Sequence, residues 1–232
     1  MAGAALAGLG DVLILGRSAS GADFDRAVGV VPEHIEADER WRSLWNGAAL
    51  SRRRIWLGTL CGVAGIPLLA GTGLLASVRA VHPGGLRNVA AVAVGAFALS
   101  GVLTHAACGA VVLAYRQEAM RTAPEPGRRR PAPRSATRLL GASAVVCLGA
   151  LAVISSCATV AALSGRSSSP AISSAGSAFP SVVATLLTFG LLPYPVGGYA
   201  RPASISTGLL LHFCVAAATS GLGRRRCSRP EA

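Results

Sequence analysis

Cysteine and tyrosine aside, three side chains in this sequence set a titratable group inside a strongly apolar stretch: Asp11 in "LGDVLILG", His105 in "LSGVLTHAACGA" and His212 in "GLLLHFCVA". An ionisable group among apolar residues is costly to keep, and inside a membrane such groups mark ion paths, proton relays or ligand sites. Asp11 has two readings. It is a proton or cation ligand facing the interior of a helix bundle, or a side chain reaching the membrane interface from the end of its helix, five residues before Gly16. The two histidines invite comparison as a pair. Counted from the ends of their apolar runs, His105 lies ~15 Å and His212 ~12 Å deep at 1.5 Å per helical residue. Equal depth would suit a shared haem, a shared metal or a proton relay. The alternative is two neutral imidazoles, each hydrogen-bonded to a neighbouring helix. Nothing else in the sequence supplies further ligands, so the expectation is no metal and no cofactor.

Motifs of enzymes do not occur. The chain has no phosphate-binding G-x-x-x-x-G-K-[ST], no G-x-S-x-G, no H-E-x-x-H and no acidic cluster fit for a divalent ion. Its 6 cysteines form no C-x-x-C pair, and five of them fall in apolar runs, where a free thiol behaves as a small hydrophobe. Gly58-x-x-x-Gly62 matches a helix-packing motif. Pro67 and Pro180 fall within apolar runs and predict kinks.

The elements that must position Asp11, His105 and His212 follow from composition. The chain has 232 residues, 52% hydrophobic and 14% charged, against about 25% charged in an ordinary soluble domain. The hydrophobic excess calls for an apolar solvent. Six apolar runs can be drawn, at 2–15, 55–78, 89–115, 139–163, 171–192 and 204–222. A span needs about 20 residues. The second, third and fourth runs exceed that and contain no charge. The first is short, 14 residues, with Asp11 in it, and suggests that part of its helix lies upstream of Met1.

Two polar segments separate the early runs. Residues 16–54 hold six of the 10 acids and a short amphipathic pattern of Trp41, Leu44, Trp45 and Ala48, suited to a helix at the membrane interface or packed on the bundle. Residues 116–138 are rich in proline and arginine and predict a flexible connection. All 22 basic residues are arginine, and all lie outside the apolar runs, in a chain of formal charge +12. Arginine flanking apolar runs marks membrane edges rather than nucleic-acid binding. Six crossings would place fifteen arginines on one side and seven on the other. If the fifth run dipped in and returned, the division would be eighteen to four, so charge alone favours a re-entrant element while the 22-residue length favours a crossing. The stretch "LLPYPVGGYARPASIS" that follows predicts a turn between the last two helices.

Several stretches resemble an uncharacterised family of bacterial polytopic membrane proteins. They are "LGDVLILG", "SRRRIWLGTLCGVAGIPLLAGTGLL", "LSGVLTHAACGAVVLAY" and, most of all, "FPSVVATLLTFGLLPYPVGGYARPASISTGLLLHF". The resemblance implies a six-helix bundle with a histidine at the position of His105. It implies no activity, substrate or cofactor, so it assigns no functional residue. Here the arginine-rich loops are heavier than the family pattern, and helix one begins later.

The sequence therefore predicts an all-α integral membrane bundle of about six transmembrane helices, one domain over 1–232, in the plasma membrane and in contact with the lipid bilayer. Its expected role is binding or transport of a small solute near Asp11, His105 and His212. The competing role is non-catalytic, with the 16–54 and 116–138 loops docking a protein partner.

Overall fold

The computed structural model describes residues 1–16, 50–120, 134–167, 178–192, 196 and 200–227. The amphipathic pattern at 41–48, most of the 116–138 connection, the start of the fifth run and residues 193–195 and 197–199 of the proline-rich turn lie outside the described residues. Six helices carry the apolar runs: α1 (Ala2–Leu15), α2 (Arg52–Arg79), α3 (Gly85–Met120), α4 (Arg134–Leu163), α5 (Ala178–Leu191) and α6 (Ser204–Cys227). No named strand occurs among the described residues. One isolated antiparallel bridge, Val81 to Ser167, ties the turn after α2 to the end of α4.

Helices α2, α3 and α4 are long and apolar enough to cross a membrane; the apolar parts of the other three span 10–17 residues each. Most of the helices outrun the hydropathy pattern, because backbone hydrogen bonding continues past the last apolar side chain until proline or glycine stops it. α2 thus takes in Arg52, Arg53, Arg54 and Arg79, and its N-terminus is capped by Ser51 Oγ, which accepts from Arg54 N at 3.2 Å. Pro67 lies within α2, and a π-helical turn, Ala70–Leu74, follows it before the helix continues to Arg79. Pro180 lies in the first turn of α5, where a missing N–H costs little, so it starts a helix rather than bending one.

Many large apolar side chains of the described helices face outward. Val92 of α3 is 74% exposed and Val145 of α4 is 72% exposed, with Trp56, Leu57 and Leu60 outward on α2. Such a surface is at home in hydrocarbon, and it makes lipid contact the natural solvent for these helices.

Within the bundle, the helices meet at small residues and alternate in direction. Along the α1–α2 seam, Gly3 packs on Leu68 and Leu69, Gly65 on Ala7, and Gly10 on Gly58 and Gly62, so the two helices are antiparallel. A Cβ on Gly10 would stand 2.7 Å from both Gly58 O and Gly62 N, which excludes any larger residue. Gly101 under Ile66 and Gly109 under Thr59 run α3 antiparallel to α2. Tyr115 and Val112 near the end of α3 share a core with Ala136 and Leu140 near the start of α4. Gly208 of α6 packs on Val182 and Ser181, and Thr185 Oγ1 donates to Ser204 O at 2.7 Å, so α5 and α6 are antiparallel too. α6 starts beside the last turns of α1 and runs toward the Arg79 end of α2, where Phe213 packs on Gly73.

Gly62 offers a direct test. A methyl there would land on the His105 ring, whereas Gly95 faces open space. Overpacking of this kind costs about 1–3 kcal/mol. Gly62→Ala should lower the thermal midpoint of the purified protein by several degrees, while Gly95→Ala keeps or raises it. Equal midpoints for the two variants would contradict the seam.

Candidate functional site

The functional geometry grows from the close approach of α1 to α2. Because Gly10, Gly58 and Gly62 carry no side chains, α1 lies directly on α2, and Asp11 follows Gly10 in sequence. Gly62 also leaves room on its other side for the ring of His105, which stands over it from α3. His105 belongs to a Gly101, His105, Gly109 row at four-residue spacing, one face of a helix, and that face is turned to α2. The third contributor is α6. Its residue Ser206 packs on Gly8, one turn before Asp11 on α1.

These four helices bring one carboxylate, one imidazole and one hydroxyl together. His105 Nε2 lies 3.0 Å from Asp11 Oδ1. The contact is off the line of a straight N–H···O bond, so it acts through charge more than through directed hydrogen bonding. Ser206 Oγ donates to Asp11 Oδ2 at 2.9 Å. The other ring nitrogen, His105 Nδ1, lies 3.0 Å from Gly101 O. A carbonyl only accepts, so a hydrogen bond there requires the proton on Nδ1. Nε2 is then the nitrogen left to face the carboxylate. An unprotonated Nε2 would set a lone pair beside an anion. One additional proton, on Nε2 or on Oδ1, removes that repulsion and makes the pair neutral overall. The side chains of His105 and Asp11 remain 11% and 18% exposed, so the pair is enclosed without being sealed.

Arg54 holds α1 in place beside this cluster. Its Nε donates to Leu13 O at 2.9 Å, and one guanidinium nitrogen donates to Val12 O at 3.2 Å and Gly16 O at 2.8 Å. These are carbonyls at the C-terminal end of α1, where Val12 O already accepts from Gly16 N at 2.9 Å while Leu13 O and Gly16 O lie past that last bond, and the helix end carries partial negative charge. Arg201 does the same for α5, donating to Leu192 O at 2.9 Å.

Of the residues singled out from the sequence, Asp11 and His105 meet and His212 stands apart. The equal-depth pairing of the two histidines is corrected by the offset of α6. Ser206 is the α6 residue level with Asp11, so His212, six residues on, lies ~9 Å further along the helix. Its neighbour Phe213 packs on Gly73, eleven residues beyond Gly62 on α2. The His212 ring is buried with no hydrogen-bond partner at Nδ1, edge-on to Phe213 at 5.3 Å between centroids. The geometry offers no haem or metal shared between the two histidines. Among the described residues, no three His, Cys, Asp or Glu side chains converge as metal ligands. Asp11 turns inward to His105 and Ser206.

Ser206 and Arg54 escaped sequence reasoning. Ser206 reads there only as one of several small polar residues opening the last helix, and Arg54 only as one of a flanking triplet. No local pattern says that either touches α1.

Breaking one side of a buried ion pair costs about 3–5 kcal/mol, because the other charge is left without its partner. Asp11→Asn and His105→Gln should each destabilise the protein, and the double variant should lose clearly less than the sum. Unfolding midpoints of the four proteins in one detergent measure this. Additive losses would mean that the two side chains do not interact. No family model, curated protein or solved structure matches this chain.

Proposed function

We propose that this chain is a multi-pass protein of the plasma membrane, crossing it six times as one bundle, and that it binds a small solute for transport at Asp11, His105 and Ser206. The observation that carries the functional part is the carboxylate–imidazole pair, held among apolar helices at the meeting of α1, α2, α3 and α6. Intramembrane ionisable groups on separate helices are the usual make-up of ion and proton paths. A transport site also needs parts that can separate, and this one is shared by three chain segments far apart in sequence.

The alternating directions of the six helices support six crossings. A fifth segment that dipped and returned would make α6 run toward the Arg54 end, whereas it runs away from it. The fifteen arginines of the segments at that end, against seven at the other, favour a cytoplasmic Arg54 end. The resemblance to six-helix bacterial membrane proteins agrees with this count and adds no activity to it. The alternative of partner-docking loops rests on segments outside the described residues.

Two experiments address the parts separately. In a chain keeping only Cys227 and a cysteine introduced between 124 and 132, the two thiols should label from opposite sides of sealed vesicles. Labelling from the same side contradicts six crossings. For the function, the protein in lipid nanodiscs is screened by thermal midpoint against amines, amino acids, carboxylates, sugars and inorganic cations. At least one class should raise the midpoint of the wild type and leave Asp11→Asn unmoved. A panel without effect on the wild type, or with equal effect on both, overturns the proposal.

A further inference from the structure

We infer that the Asp11–His105–Ser206 cluster is a proton-for-cation exchange site, which releases one proton when a monovalent cation takes its place against Asp11. The inference rests on the reading of this cluster as a binding site and names the chemistry of what it binds.

The polarity of each atom around the carboxylate leads to this. Gly101 O holds the His105 proton on Nδ1. When the second proton is present, the site is a neutral arrangement, imidazolium with carboxylate or imidazole with carboxylic acid. When that proton leaves, nothing else in the contact replaces it. Oδ1 and Oδ2 accept, Nε2 presents a lone pair, and Ser206 Oγ keeps its own lone pairs while donating to Oδ2. Carboxylate, imidazole and hydroxyl acceptors then lie side by side with a net charge of −1. Such a cluster in an apolar bundle is stabilised by a cation against it. The exchange is balanced: the proton goes from the Asp11–His105 pair to water, the cation arrives, and the site is neutral before and after.

The neighbouring groups leave this role open. On α2, Thr59 turns its hydroxyl to Ile55 O and Arg54 is engaged by carbonyls at the end of α1. Cys108 on α3 and Cys147 on α4 lie within electrostatic reach of Asp11, and neither is a cation. α6 contributes Ser206, with His212 two turns away, and the described part of α5 carries no titratable side chain. One carboxylate is too little anionic oxygen for a divalent ion, which takes several oxygen ligands and commonly more than one carboxylate. A monovalent inorganic cation and the ammonium group of an organic solute share the required charge.

The test measures protons. The full chain in zwitterionic nanodiscs, weakly buffered near neutral pH with an indicator dye, receives sodium, potassium or methylammonium chloride, with choline chloride as the ionic-strength control. Release approaching one proton per chain, above the choline baseline, is expected for at least one of the three. The sodium and potassium arms separate an inorganic ion from the ammonium source. Asp11→Asn should release none. Ser206→Ala, which keeps both titratable groups, should still release but need several-fold more cation, and it serves if the aspartate variant fails to fold. No release above choline from folded wild type, or undiminished release from Asp11→Asn, overturns the exchange. If release is absent while solutes still shift the wild-type midpoint through Asp11, only the exchange chemistry is lost. If both are absent, the binding-site reading falls as well.

Discussion

A carboxylate among apolar helices must find a compensating partner or give up its charge, and the placement of Asp11 shows what that demands of the surrounding chain. Its partners come from α3 and α6, so those helices have to lie within hydrogen-bonding reach of the C-terminal half of α1. That reach exists only because α1, α2 and α3 approach one another over glycine. Gly10, Gly58 and Gly62 let the backbones of α1 and α2 touch, and Gly62 opens the space that the imidazole fills. In lipid, where apolar side chains gain nothing by leaving solvent for one another, such close packing is what holds helices together. The site and the seam are therefore one construction.

The arginines belong to the same construction at its edge. A helix that ends near the membrane boundary leaves its last carbonyls without donors, and loops in the apolar layer cannot satisfy them. Arg54 reaches across from α2 to three carbonyls at the end of α1, and Arg201 bonds carbonyls at the end of α5. Arg54 is half-buried and Arg201 exposed, so neither charge is sealed inside while its fork serves the helix end. In a chain with no lysine, this planar five-donor group does duty both as a boundary charge and as a helix cap.

Legibility from sequence differed by level. The long runs at 55–78, 89–115 and 139–163 appear as helices, extended outward by a few residues where arginines continue the turn. The 14-residue first run appears with its expected bounds. Asp11 and His105 were recognisable as unusual residues, because a charged or titratable side chain is conspicuous against a hydrophobic background. Their meeting was not recognisable. Counting depth from the ends of runs assumed that each run begins at the membrane surface, and that placed His105 opposite His212. The start of α6 lies level with Asp11, and so Ser206 occupies the place that His212 was expected to take.

Composition and hydropathy by themselves determined that this chain is helical and apolar on its outer faces, with three stretches long enough to cross a bilayer, since a hydrocarbon solvent forces backbone hydrogen bonds inside each segment. They also determined which side chains would be costly to keep there. Only the tertiary structure decided which of those side chains share a site. The axial offset of one helix against another is set by where glycines permit contact on both partners at once, and no single segment carries that information. A shift of one turn in α6 would separate Ser206 from Asp11, and it would leave the hydropathy of every segment unchanged.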